Sequence, residues 1–185
     1  MAQAVFESPV GPLFVDASAR GLRLLSFLDG YKHDGLARRL PDLDPREEDG
    51  AEAIIAATRR QIDDYFDGNR REFDLPFDFT GTPFQKQVWQ QIYGVPFGET
   101  ISYDELARRS DAPKASRAAG AACGANPIVI VIPCHRIVGS DRGLHGFGGG
   151  LGTKAWLLRH EGALAALKSR QIALLEEPAS TSSLI

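Results

Sequence analysis

The chain has 185 residues, 43% of them hydrophobic and 9% aromatic, which fits one globular domain with a small companion domain. Its formal net charge of −3, taken alone, argues against a nucleic-acid partner. No apolar run is long enough to span a bilayer and the first residues do not form a signal peptide, so we expect a cytoplasmic protein.

The first 80 residues are predicted to form a small α/β unit. Turn signals such as Pro-Val-Gly-Pro separate short strands in residues 5–30. Apolar residues recur at helical intervals in residues 51–67, and Gly68 can take the left-handed conformation that ends a helix. The alternating stretch EFDLPFDF, residues 72–79, predicts an edge strand or an extended linker.

A second unit is predicted to begin near Thr82. Thr82 and Gln85 have the spacing of a capping box, and Pro83 occupies the favoured first position of a helix. The change in composition and these start signals together place a domain boundary near residue 80. The predicted division is therefore 1–80, 81–162, and a C-terminal helix or tail at 163–185.

Two short helices joined by a tight turn follow in this second unit. Ser102 and Glu105 suggest a capping box before a helix at 103–109, and Pro113 can open another helix at about 114–123. The outline is that of a helix-turn-helix, although an ordinary helical hairpin shares it.

The second helix of this pair has one long side chain, Arg117, among small ones. Such a face either packs tightly on another element or lets the backbone approach a ligand closely, as in a narrow minor groove.

The charge distribution along the chain mildly favours a polyanionic partner. Residues 79–162 hold 9 Lys/Arg against 6 Asp/Glu, whereas residues 1–78 hold 10 against 16. A solvated surface explains this asymmetry equally well.

The run IVIVIPCHRIVG contains the candidate nucleophile. Residues 127–132 are predicted to be an apolar strand that Pro133 ends just before Cys134. A cysteine beside an apolar strand is usually a small core residue, but His135 and Arg136 supply the positive charge that favours a reactive thiolate. Because neighbours in a strand point to opposite faces, direct contact between Cys134 and His135 needs a turn or a bridging water.

The remaining motifs indicate neither a cofactor nor a metal. The glycine-rich loop GLHGFGGGLG, residues 143–152, lacks the spacing of a phosphate loop or a dinucleotide fingerprint, and a helix is predicted at 153–160. Two cysteines cannot form a disulfide framework or a four-thiolate zinc site.

The motif Pro-Cys-His-Arg at 133–136, preceded by Asn-Pro and an Ile/Val run, resembles the signature of the O6-alkylguanine-DNA alkyltransferases (methylated-DNA–protein-cysteine methyltransferases). The resemblance continues in order and spacing through ISYDELA (101–107), the small-residue helix, GFGGGL (146–151) and WLLRHEG (156–162). It implies a bacterial stand-alone repair protein with an α+β fold. A small N-terminal α/β domain of short antiparallel strands plus a helix would precede a mostly helical, winged-helix-like domain with the helix-turn-helix.

The resemblance also implies a chemistry. An alkyl group would pass irreversibly from O6-alkylguanine in duplex DNA, or from O4-alkylthymine, to Cys134, once per molecule. His135, acting through a water, would take the thiol proton, and Glu161 would orient His135. Asn126 would tie the helix-turn-helix to the active-site strand.

Further roles on the DNA side follow from the same resemblance. Tyr103 would donate to guanine N3 and crowd the phosphate, and Arg117 would fill the space left by an extruded base. Phe147 and its glycines would lie over the alkylated base, although the family often has tyrosine at 147 and serine or alanine at 148. The other predicted contacts are Ser116, Ala118, Gly120, Arg136, Gly148 and Gly149.

Two alternatives remain at this stage. A lesion sensor of the same fold would bind alkylated DNA without chemistry, but such relatives lack the cysteine. A cysteine-dependent hydrolase or redox protein would need turnover or a partner thiol, for which Cys123 on a packed helix is a poor candidate. We expect a monomer that binds double-stranded DNA, with no membrane, metal or cofactor.

Overall fold

The N-terminal part of the chain is a three-stranded antiparallel sheet. The computed structural model describes residues 2–28 and 48–163. The strands are β1 (Ala2–Phe6), β2 (Leu13–Ser18) and β3 (Gly21–Phe27), in the order β1-β2-β3. One face of each strand is apolar, which is why the sheet buries that face against a helix.

That helix is α1 (Glu48–Phe66), whose buried side chains include Ile62 and Tyr65. Gly68 follows it with φ 77°, which confirms the predicted left-handed cap. The helix therefore ends where the sequence predicts, and it carries Tyr65 on its last turn toward the second half of the chain.

Residues 72–79 are extended and attach to the sheet beside β3. The Leu22 amide donates to Pro76 O at 2.8 Å, and the Asp78 amide donates to Leu22 O at 2.9 Å. Gly21 permits this approach, because a Cβ there would lie 2.5 Å from Pro76 O and its φ is +156°. The predicted edge strand or linker is thus an extended segment with one bridge, at Phe77.

The second half begins with α2 (Pro83–Tyr93), which has the predicted capping box at Thr82 with Pro83 in its first turn. Helix α3 (Tyr103–Arg109) and helix α4 (Ser116–Gly124) then form the helix-turn-helix. The prediction of the start of α4 was wrong by two residues, because Pro113 lies in the turn and does not open the helix.

The cap of α3 differs from the predicted capping box. Ser102 Oγ accepts from the Glu105 amide at 3.0 Å, but the Glu105 carboxylate bonds Arg109 on the next turn at 2.7 Å. Only the serine half of the box is therefore present, since the arginine competes for the carboxylate that would have turned back.

The predicted strand at 127–132 was wrong. Only Ile128 bridges to the sheet, at Leu25. The chain then turns at Ile130, which has φ 70°, with the Val131 amide donating to Val129 O at 2.8 Å. This is a γ-turn of the rare kind whose central residue has a positive φ. The residues are apolar because they are buried in the core, not because they belong to a sheet.

A short 3₁₀ turn, Cys134–Arg136, leads into β5 (Ile137–Val138), which pairs in parallel with β4 (Ile101–Ser102). Helix α5 (Gly150–His160) begins three residues before the predicted position because its first turn is built from the glycine-rich loop. The mostly helical second half with its N-terminal sheet and helix confirms the predicted α+β class.

One continuous core joins the two halves of the described chain, from Leu13 and Leu25 in the sheet to Ile92 and Leu157 in the helices. Within the described ranges, no helix is both long enough and apolar enough to cross a membrane. The predicted C-terminal tail lies outside the described residues from 164 onward.

Candidate active site

Cys134 opens the 3₁₀ turn at the end of the buried 128–133 segment and is 7% exposed. Pro133 has φ −81° and ψ 66°, and the Cys134 amide donates to Ile132 O at 2.8 Å. These values describe a second γ-turn, directly before the thiol, and the residues that follow it stay buried. Cys134 and His135 therefore lie in a 3₁₀ turn and not in a strand, so the backbone does not hold them on opposite faces of a sheet.

The Glu161 carboxylate, just beyond α5, holds the next two residues of that turn. Its Oε1 bonds His135 Nε2 at 2.8 Å and accepts from Arg136 Nη2 at 2.9 Å. Its Oε2 accepts from Arg136 Nε at 2.8 Å and from the Gly98 amide at 3.4 Å. Glu161, His135 and Arg136 are all at most 5% exposed, so this ion-pair cluster is buried.

The protonation states of the cluster follow from its surroundings. Burial acts to raise the pKa of Glu161, but hydrogen bonds and charge from His135 and Arg136 outweigh it and hold that pKa well below its ordinary value. Burial lowers the pKa of His135 despite its bond to Glu161. Near neutral pH the cluster therefore contains an ionised Glu161 and a neutral His135.

This assignment fixes the tautomer of the histidine. An ionised carboxylate only accepts hydrogen bonds, so Nε2 of His135 carries the proton and donates to Glu161. Nδ1 is then the basic nitrogen, and it is buried with no hydrogen-bond partner among the described residues. The ring presents a fixed, available lone pair one residue from the thiol.

Asn126 connects the end of α4 to the segment that carries Cys134. Its Nδ2 donates to Ile132 O at 2.7 Å, and its Oδ1 accepts from the Ile128 amide at 3.0 Å. The side chain thus closes the loop between those two residues and takes the place of strand hydrogen bonds. This position is the one expected for a residue that ties the helix-turn-helix to the thiol.

Tyr103 and Lys154 lie beside the two cysteines. Burial, with the nearby Cys123 and Cys134, raises the pKa of Tyr103 well above its usual range, so its hydroxyl stays a donor. Lys154 Nζ donates to Ile137 O at 2.6 Å and to His145 O at 2.9 Å, and it lies 5.9 Å from the centre of the Tyr103 ring. Burial lowers the pKa of Lys154.

The small residues of α4 allow close packing on one side and leave an open face on the other. A Cβ at Gly120 would lie 3.6 Å from Tyr103 Cδ1, which is an ordinary contact, so Gly120 is not required there for space. Arg117 and Ala118 are exposed. Ser116 Oγ donates to Asp104 Oδ1 at 2.5 Å, which anchors the start of α4 to α3.

The glycine-rich loop rests on the N-terminal sheet. The Phe147 ring packs edge-on against Phe27, with ring centres 5.6 Å apart. A Cβ at Gly149 would lie 2.7 Å from that same ring, whereas one at Gly148 would meet nothing within 4 Å. The sheet therefore fixes where Phe147 and Gly149 lie, and Gly148 is the open position of the three.

Arg136 differs from the expectation that it contacts DNA. Its side chain is 5% exposed, and its nitrogens donate to both oxygens of Glu161 and to Val95 O. Those bonds occupy the fork of the side chain, so Arg136 belongs to the buried cluster and not to an outer surface.

Two residues of this region, Tyr65 and Lys154, were not predicted from the sequence. Tyr65 Oη donates to Glu161 Oε1 at 2.8 Å across 96 positions of sequence. A lysine inside an otherwise apolar helix could have signalled the second, because Lys is almost never fully buried without partners. Within the described ranges, no group of three His, Cys, Asp or Glu side chains could hold a metal ion.

Two family models match the chain in succession. The 6-O-methylguanine DNA methyltransferase ribonuclease-like domain matches residues 1–79, and the DNA-binding domain of the same family matches residues 83–163. Together they span nearly all of the described residues.

Individual relatives agree with these matches. The chain is 39% identical to the methylated-DNA–protein-cysteine methyltransferase of Methanosarcina acetivorans over 88% of this chain and 99% of that protein. It is 41% identical to the protein of that name from Mycobacterium leprae, over 84% and 88%. It superposes on Mycobacterium tuberculosis OGT in complex with DNA with a TM-score of 0.73 and 37% identity, over 86% and 92%. The chain belongs to the 6-O-methylguanine DNA methyltransferase family.

Proposed function

We propose that Cys134 is the residue that accepts the alkyl group in this protein, with His135 as its base and Glu161 as the group that orients the base. The protein acts in direct-reversal DNA repair, by transfer of an alkyl group to one of its own cysteines. The observation that carries the assignment is the His135–Glu161 bond of 2.8 Å, because it leaves Nδ1 as the basic nitrogen of the residue that follows Cys134.

The reaction balances without a cofactor. A water accepts the Cys134 thiol proton as it passes its own to His135 Nδ1, and the sulfur attacks the alkyl carbon. A C–S bond forms, the C–O6 bond breaks, and its electron pair returns to the guanine. The proton that His135 took up passes through water to guanine N1, so no proton is gained or lost overall. The thioether is stable and no group in the site can reverse it, so each molecule reacts once.

The surroundings of the thiol support a role for an extruded base. Tyr103 remains a hydroxyl donor, as its raised pKa requires, and in this proposal it bonds guanine N3. Arg117 on the open face of α4 fills the vacated stack, and Phe147 covers the base. Extrusion of the base costs a few kcal/mol of stacking and pairing energy, and a side chain that fills the gap offsets part of that cost.

The preferred substrate is an alkylated guanine in double-stranded DNA, and the protein acts as a monomer in the cytoplasm. Its overall negative charge limits nonspecific DNA affinity, which grows with each phosphate contact. A scanning protein that releases undamaged DNA quickly benefits from that limit.

The test is a single-turnover reaction with a duplex that contains one O6-methylguanine at equal molarity. We expect one added methyl group on the Cys134 peptide, restored guanine and no second event. A methyl group on Cys123, or on neither cysteine, would overturn the assignment of the acceptor.

A lesion sensor without chemistry is the second candidate function. It would bind the same duplex and leave both molecules unmodified. The Cys134→Ala variant separates the two: it should retain binding to the methylated duplex and lose transfer. If wild type and variant bind equally and neither is methylated, sensing replaces transfer as the function.

A further inference from the structure

The catalytic cluster receives a hydrogen bond from the N-terminal part of the chain. Tyr65 lies at the end of α1 and is fully buried, and its hydroxyl reaches Glu161 Oε1 at 2.8 Å. That same oxygen bonds His135 Nε2 at 2.8 Å. One carboxylate oxygen thus joins Tyr65 to the proposed base through a single atom.

We propose that Tyr65 is a positioning residue for the alkyl transfer, which acts on His135 through Glu161. This inference rests on the proposed function, because it assigns a role relative to His135 as the base. It also means that the N-terminal 80 residues contribute a side chain to the reaction centre.

The position of Tyr65 is enforced by packing. Its ring makes edge-on or tilted contacts with four aromatic rings, with centres 5.0–6.2 Å apart. Those rings belong to Phe66, Phe73, Phe97 and His160. These contacts fix the orientation of the ring, and the ring directs the hydroxyl toward Glu161.

The hydroxyl is a permanent donor. Burial and the charge of Glu161 raise the pKa of Tyr65 far above its usual range, so the proton stays on the tyrosine. Each donor to the carboxylate disperses its negative charge and weakens its pull on the His135 N–H. Tyr65 therefore keeps His135 less basic than Glu161 alone would make it.

Removing the hydroxyl has a predictable sign. With one donor fewer, Glu161 stabilises the His135 imidazolium more strongly, and the pKa of His135 rises. Transfer needs neutral His135, so the acid limb of the rate profile moves to higher pH. Because only one of several donors to Glu161 is lost, we expect the limb to move by roughly 0.5 unit.

Several charged groups surround these two residues. His135 is acted on by Glu161, Arg136 and Lys154, and Tyr65 is influenced by Glu161 and Arg136. His160 touches the Tyr65 ring, and its Nε2 bonds Tyr65 O at 2.8 Å. Because His160 is a second imidazole in contact with Tyr65, it needs its own control.

The experiment is the single-turnover transfer rate of the full chain between pH 5 and pH 9, with the methylated duplex saturating. Tyr65→Phe should shift the acid limb upward by roughly 0.5 unit, following the estimate of one donor lost. Difluorotyrosine inserted at position 65 keeps the shape and strengthens the donor, so it should shift the limb downward. This second variant tests the inference even if Tyr65→Phe folds poorly.

Two controls separate positioning from packing. Tyr93→Phe removes a comparable hydroxyl bond, to Phe73 O at 2.7 Å, and should leave the limb in place. His160→Gln should also leave it in place, and a limb that vanishes there would assign the titration to His160 and overturn the inference. An unmoved limb in both position-65 variants overturns it as well. Failure of the wild type to methylate Cys134 would instead refute the proposed function.

Discussion

Arg136 offers the sharpest test of the buried cluster, since its substitution by methionine keeps the apolar stem and removes the charge. The Arg136 side chain is 5% exposed and the Glu161 side chain is fully buried. In Arg136→Met, Glu161 keeps bonds from His135, Tyr65 and Gly98 but loses the cation that neutralises it.

The magnitude follows from that burial. Removing one member of a buried ion pair costs about 3–5 kcal/mol, because the remaining charge is left without its partner in a low-dielectric site. Val95 O also loses its donor at 2.5 Å. For a chain of this size each kcal/mol lowers Tm by about 2–4 °C, so the expected fall is on the order of 10 °C.

The assay is urea unfolding at constant protein concentration and pH 7.5. Arg109→Met is the matched control, because Arg109 bonds Glu105 at 2.7 Å in a pair where the arginine is 40% exposed. Water screens that pair, so the control should lose far less stability. A loss below about 1 kcal/mol in Arg136→Met would show that this pair contributes no more than a surface pair, and that burial of the cluster does not set its stability.

Two further predictions concern neighbours of the same cluster. The folded pKa of His135 is lowered, so the stability it contributes is complete above the unfolded pKa of about 6.5 and is lost as pH falls below it. His135→Asn should therefore flatten the decline of unfolding free energy between pH 6.5 and 5, and an unchanged slope would contradict a neutral buried histidine. Asn126→Ala should cost about 2–4 kcal/mol, because the Ile132 carbonyl and Ile128 amide lose buried partners. Its transfer rate should fall as well, and a wild-type rate in the folded variant would show that the loop holds Cys134 without Asn126.

Much of the fold could be predicted because it depends on local signals. The Thr82 cap, the Gly68 termination and the span of α3 are set by residues within one turn of each other. The strand prediction for residues 127–132 was wrong for a physical reason. β-branched residues are favoured both in buried positions and in extended backbone, and the periodicity of the sequence cannot separate the two. The left-handed Ile130 has no local sequence signal, since glycine is the usual residue there.

The residues of the candidate site also differ in whether a local sequence signal could predict them. Cys134 and His135 are adjacent, so their motif was visible, and the resemblance supplied Glu161. The contact of Tyr65 with Glu161 could not be predicted from the sequence, because it joins residues 96 positions apart and is created only by the packing of α1 on the second half. Arg136 was misplaced for the related reason that its partner lies on a distant helix end.

The strained backbone turn at Ile130, just before the thiol, is held in place by its surroundings. A β-branched residue with φ 70° at Ile130 is costly, and such conformations persist only where the surroundings over-determine them. Here the core buries Ile130 completely, and Asn126 bonds the chain on both sides of it. A regular strand would have pointed Cys134 and His135 to opposite faces. The two turns at Ile130 and Pro133 instead lead the chain into the 3₁₀ turn. The strained turn is therefore part of what places Cys134 and His135 on one short turn, with Glu161 bonded to His135.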